Sequence, residues 1–82
     1  MVDRVPLRDM ARSLPLAARG QSTTTPGTPI PVRAWIVTGR GVDLEVDAEA
    51  TSWTPRAVHV RYIDEHGREG FAWLWASAVA RR

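Results

Sequence analysis

Between Val42 and Ala50 the chain alternates without a break: Val42, Leu44, Val46, Ala48 and Ala50 are apolar, and Asp43, Glu45, Asp47 and Glu49 are acidic. Successive side chains on a strand point to opposite faces, so a period of two sorts every apolar group to one side and every carboxylate to the other. The run predicts a half-buried β-strand with an apolar inner side and a solvated acidic outer side. It constrains architecture and names no chemistry.

The surrounding sequence from Pro31 onward also reads as all-β. Val32 to Thr38 is rich in strand formers, and its consecutive Trp35, Ile36 and Val37 predict apolar surroundings on both faces. Gly39-Arg40-Gly41 supplies a turn with access to positive φ. The alternating strand ends at Ser52-Trp53-Thr54-Pro55, read as a loop. A third strand follows, with Val58, Val60 and Tyr62 alternating against His59, Arg61 and Ile63. Asp64-Glu65-His66-Gly67 then forms a hairpin loop with Gly67 at its left-handed position. Phe71 to Trp75 is the fourth strand, with Phe71, Trp73 and Trp75 on one face and Ala72 and Leu74 on the other; if the aromatic set points inward, Trp35 or Trp53 is left partly exposed. Ala76-Ser77-Ala78-Val79 reads as one tight 3₁₀ turn, and Ala80 to Arg82 as a short fifth strand.

Gly67-Arg68-Glu69-Gly70-Phe71-Ala72-Trp73-Leu74-Trp75-Ala76-Ser77-Ala78-Val79 resembles the end of an SH3-like barrel: a hairpin, an aromatic strand, a 3₁₀ turn and a closing strand. The resemblance implies a small SH3-like β-barrel of four to five antiparallel strands, in which tight turns connect short strands. No proline opens the turn, Ala78 stands where peptide-binding members carry Tyr, and no acidic, Tyr-rich loop follows the first strand. What it implies is therefore the fold and not the binding of proline-rich peptides.

Ahead of the barrel, residues 20–31 contain three prolines and two glycines and little to bury, the composition of an extended linker. Residues 1–19 carry Leu7, Met10, Ala11 and Leu14 at helical spacing, with Arg8 and Arg12 off that stripe and Pro15 disfavouring continuation. One or two turns are marginal in water, so this segment is expected to be disordered alone, or a short helix when docked. The domain proper is then residues 32–82. A unit of about fifty residues buries only ~60% of its unfolded surface, so each large aromatic matters.

There is no cysteine to staple so small a core; the absence fits a reducing compartment, and a cytoplasmic location is expected. No signal peptide is read in residues 1–20, which are interrupted by charges, and no apolar stretch approaches the length of a membrane span. All eleven basic residues are Arg, a bias that fits a high-GC genome such as that of an actinobacterium or one of its phages. Residues 1–31 hold four Arg and two Asp, a net of +2, whereas residues 32–82 hold seven Arg and seven acids and are neutral. A neutral domain argues against a broad phosphate-binding surface, which needs uncompensated cations.

The carboxylates of the alternating strand recur every ~6.6 Å along one face, a spacing that invites a catalytic reading. Cross-strand pairing with Arg61 and His59 accounts for them without chemistry. Two histidines without cysteine make no metal-site spacing, and neither a nucleophile elbow nor a phosphate-binding glycine loop is present. No enzymatic activity, cofactor or metal is expected.

Four tryptophans exceed what so small a core encloses. Trp53, in its loop, either anchors a partner or folds back as a lid over the barrel end. The leading expectation is a non-enzymatic protein-interaction module using Trp53, Trp35, Pro55, Arg56 and Arg40, with tail contacts from Leu7, Met10, Leu14, Arg8 and Arg12. A nucleic-acid-binding barrel is the alternative, requiring Arg33, Arg40, Arg56, Arg61, Arg81 and Arg82 to gather on one face. A further alternative is self-association, with an exposed edge strand and the tail completing a neighbour's sheet.

Overall fold

The computed structural model describes residues 3–82. Its centre is one antiparallel sheet: β1 (Ile30–Val37), β2 (Asp43–Trp53), β3 (Ala57–Ile63), β4 (Glu69–Trp75) and β5 (Val79–Arg81). The spatial order is β4-β3-β2-β1-β5, so β1 to β4 meander and the last strand returns beside the first. The return passes through a 3₁₀ turn over Ala76–Ala78. The expected closed barrel is not formed: β4 and β5 are the two ends of the sheet and do not pair.

The hairpins follow their glycines. Gly41 sits at φ 83° and closes the β1–β2 turn with its N–H on the Thr38 carbonyl at 2.8 Å. Gly67 sits at φ 76° in the β3–β4 turn, where the Asp64 carboxylate accepts from the His66 and Arg68 N–H groups. The predicted loop at Ser52-Trp53 is instead the end of β2. A bulge between Ala50 and Ser52 leaves Thr51 as an extra residue, which shifts the phase of the alternation and hides the strand's continuation. The true turn is Thr54 to Ala57. There the buried Thr54 hydroxyl accepts from the Arg56 and Ala57 N–H groups at 3.2 and 3.1 Å.

The inner face is built from Val32, Ala34, Ile36, Ala48, Ala50, Val60, Tyr62, Ala72 and Leu74. Small side chains dominate it. Phe71, Trp73 and Trp75 are therefore on the outer face and do not point inward: Gly70, Ala72 and Leu74 face the core and are buried, while Trp75 is exposed. Tyr62 dictates this choice. It lies opposite Gly70, and any β-carbon at that position would overlap the tyrosine ring. On the acidic outer face of β2, Arg61 reaches Glu49 at 3.0 Å as expected, whereas His59 meets Thr51 and not a carboxylate, and it is Arg33 of β1 that reaches Glu45 and Asp47 at 2.7 and 3.2 Å. Its apolar side is buried only in part: Ala48 and Ala50 are enclosed, whereas Leu44 and Val42 stay 44% and 57% exposed. The reason is that β3 pairs with β2 only from Ala48 onward, so the first half of β2 extends past the core.

The N-terminal segment is part of this fold, apart from Met1 and Val2, which lie outside the described residues. Its apolar residues do not form the expected helix: Leu7–Asp9 is a single 3₁₀ turn, and a four-residue α1 (Leu16–Arg19) follows Pro15. The segment instead runs along the outer edge of β4. Asp3 and Val5 exchange backbone hydrogen bonds with Glu69 at 2.6 and 2.8 Å. Further along, the Ser13 hydroxyl accepts the Trp73 N–H at 2.8 Å, and the Leu14 N–H donates to the Trp73 carbonyl at 2.9 Å. Arg12 donates its N–H to the Val37 carbonyl on β1 at 2.7 Å, so the segment spans from β4 to β1 where no strand does. An unpaired sheet edge is a liability, and satisfying it from within the chain outweighs an isolated helix of one or two turns. Val5 and Ala11 are 4% exposed and join the core, and burying the valine alone stabilises by about 1.5–3 kcal/mol.

Two glycines register this docking. A β-carbon on Gly39 would sit 2.6 Å from the Arg8 carbonyl oxygen, so the β1–β2 turn accepts the passing segment only because it is bare there. Gly70, by admitting the Tyr62 ring, lets the hydroxyl of that buried residue reach the Ala11 N–H at 2.9 Å. Residues 20–29 continue as a connection, tied by reciprocal hydrogen bonds between Thr24 and Trp53. No helix among the described residues is long and apolar enough to cross a membrane.

Candidate interaction surface

The outer face of β3 and β4 carries a stacked aromatic cluster. The His59 ring lies 5.8 Å from Phe71, nearly parallel to it, and 5.3 Å from Trp73. Cations from the N-terminal segment cover the two aromatics: Arg4 over Phe71 at 5.7 Å and Arg19 over Trp73 at 5.1 Å. Such contacts contribute about 0.5–1 kcal/mol each at exposed sites. Burial, aided by the nearby Arg19 charge, lowers the pKa of His59 from its ordinary value, and Thr51 Oγ1 meets its Nδ1. This cluster is occupied by its own partners.

The exposed aromatics lie elsewhere. Trp35 on β1 and Trp75 at the end of β4 are 54% and 49% exposed. Both line a groove of about 640 Å³ together with Leu14, Pro15, Trp73 and Ala78, with Arg12 and Asp43 also on its wall. The chain path explains the juxtaposition: Arg12 is hydrogen-bonded to β1 and Leu14 to β4, so the segment draws the outer ends of the two strands around one depression. Trp35 was legible as a candidate from the sequence. Trp75 was not, because alternation grouped it with Phe71 and Trp73 without saying which face they take.

The other expected site residues are dispersed. Trp53 is half-buried against the core and held by Thr24, while Pro55 and Arg56 are exposed in the following turn. Arg40 is exposed at the opposite end of β2, so it does not join them. Of the tail residues, Leu14 and Arg12 belong to the tryptophan groove. Met10 packs against the core, its sulfur near the Phe71 N–H at 3.4 Å, whereas Leu7 is 90% exposed and Arg8 is exposed beside the β1–β2 turn.

Of the six arginines required for a nucleic-acid face, Arg33, Arg61 and Arg82 border one groove on the outer face, and Arg81 is exposed on β5. Arg33, Arg61 and Arg82 are spent on Glu45, Asp47, Glu49 and Glu69, and Arg40 and Arg56 flank β2 at its two ends. Among the described residues no group of three His, Cys, Asp or Glu side chains is placed to hold a metal ion. No protein-family model matches the sequence, and neither a curated protein nor a solved structure matches it.

Proposed function

We propose that the chain is a non-enzymatic protein-interaction module with an SH3-like fold, and that it docks an apolar side chain of a partner protein in the groove of Trp35, Trp75 and Leu14. The observation that carries this reading is the exposure of two tryptophans at one depression while alanines fill the core. Exposed apolar patches mark interaction sites, and tryptophan is the residue most enriched among interface anchors. The SH3-like assignment is supported by the strand order, with β5 returning beside β1 through a 3₁₀ turn. Arg12 and Asp43, of opposite charge, flank the groove and orient a polar partner rim. A nucleic-acid role has less support, since half of the arginines it needs already neutralise carboxylates.

Point substitutions test this better than truncation, because residues 3–14 contribute Val5 and Ala11 to the core. Trp35→Ala and Trp75→Ala remove exposed side chains and should leave the fold intact. A partner captured from host lysate and re-bound as purified protein should lose about 30-fold or more in affinity to either variant, the loss of an interface anchor. Equal affinity for wild type and both variants removes the groove from consideration.

A further inference from the structure

The first half of β2 is an open strand edge. β3 pairs with β2 only from Ala48, so among the described residues Asp43 to Val46 have β1 on one side and no strand on the other. The register identifies the groups that face outward. Thr38 donates its N–H to the Val42 carbonyl and Arg82 donates to the Pro31 carbonyl, so even-numbered β2 residues address β1. The N–H and C=O groups of Asp43 and Glu45 therefore point to the side that β3 has left. Beside them a wedge opens between β2 and the β3–β4 turn. On one face it is a groove of about 520 Å³ lined by Val42, Leu44, Val46 and Ile63. On the other face, a groove of about 620 Å³ is bordered by Glu45, Asp47 and Glu65 and by the arginines Arg33, Arg61 and Arg82.

We infer that this edge accepts an extended peptide segment of a partner in which basic and apolar residues alternate, added as a strand in continuation of β3. The occupant follows from what β3 does where it is paired. Opposite Glu49 it places Arg61, and opposite Ala48 and Ala50 it places Tyr62 and Val60. Arg61 answers Glu49 from that side at 3.0 Å. Past Ala48 the same two rows go on, with Asp47, Glu45 and Asp43 on the outer face and Val46, Leu44 and Val42 on the inner; from the β1 side Arg33 holds Glu45 and Asp47 and Arg82 holds Asp47, Asp43 has no ion pair among the described residues, and the β3 side supplies no strand to complete the row. A strand carrying cations at the first set of positions and apolar residues at the second completes both rows. A second copy of this chain fits badly. Antiparallel self-pairing centred on Glu45 sets Glu45 against Glu45 and Asp43 against Asp47, and directly opposed like charges are destabilising. The carboxylates thus deter self-pairing while selecting a cationic partner.

The probe is a short peptide of alternating Arg and Val, added to isotopically labelled full-length protein and followed by amide NMR and hydrogen exchange. Binding should shift the amides of Asp43 to Asp47 and slow exchange at Asp43 and Glu45. An N-methylated version, unable to pair along one edge, should not protect these amides, and a Glu-Val peptide should not bind. The triple variant Asp43→Asn, Glu45→Gln, Asp47→Asn should weaken the Arg-Val peptide at least about fivefold. The inference is overturned if no shift occurs at millimolar peptide, or if the shifts map to the Trp35 groove. It is equally overturned if the N-methylated peptide protects the same amides, or if sedimentation shows the wild-type protein dimerising through this edge. The Trp35→Ala variant should retain peptide binding, so this proposal and the one for the tryptophan groove fail separately.

Discussion

Replacing Tyr62 by phenylalanine removes one oxygen atom from the interior and isolates the bond that ties the N-terminal segment to the sheet. The ring stays where it is, lying over Gly70, so packing is retained. What is lost is the acceptor for the Ala11 N–H at 2.9 Å, at a residue only 4% exposed, together with a weak contact to Met10 Sδ at 3.6 Å. No other acceptor meets the Ala11 N–H among the described residues. A buried donor left unpaired costs about 1–3 kcal/mol. In a domain of this size each kcal/mol moves the melting temperature by roughly 4–8 °C, so Tyr62→Phe should melt about 5–20 °C below wild type. Hydrogen exchange gives the specific readout: the Ala11 amide should lose protection, while the Val60 and Ala72 amides weaken only by the global change. A variant that melts with wild type and keeps a slow Ala11 amide refutes the claim that this hydroxyl secures the segment.

Two other outcomes follow from the same geometry. Gly39→Ala places a β-carbon 2.6 Å from the Arg8 carbonyl, so one backbone must move; denaturant unfolding should show a loss of about 1–3 kcal/mol, and an unchanged midpoint would mean that the segment does not pass there. Stability should also fall as the medium is acidified below the ordinary histidine pKa of ~6.5. His59 has its pKa lowered by burial and by Arg19, so the unfolded chain takes up the proton first; the stabilisation is present above that value and is lost as pH falls through the folded-state pKa. Melting temperatures of wild type and His59→Gln at pH 8 and pH 5 check this, with the larger drop expected in wild type.

The strands, the turns at Gly41 and Gly67 and the acidic outer face of β2 were legible because each depends on residues close in sequence. Alternation says that two faces differ, turn residues say where the chain reverses, and Arg61 and Glu49 lie on consecutive strands only twelve residues apart. The end of β2 was not legible, since the bulge at Thr51 breaks the period that identifies a strand. Nor was the orientation of Phe71, Trp73 and Trp75, because a period of two is symmetric under exchange of its faces.

The sequence by itself determined a small all-β unit with short turns, no cysteine and its carboxylates on one face of one strand. The tertiary structure decided what covers which edge. The N-terminal segment, spaced like a short helix, lies extended along β4 because that edge needs hydrogen-bond partners and the segment supplies them. Its anchor joins Ala11 to Tyr62, fifty-one residues apart, a separation at which local periodicity carries no information. The same long-range arrangement shapes the tryptophan groove and leaves half of the alternating strand open, so both surfaces depend on contacts that appear only once the sheet has formed.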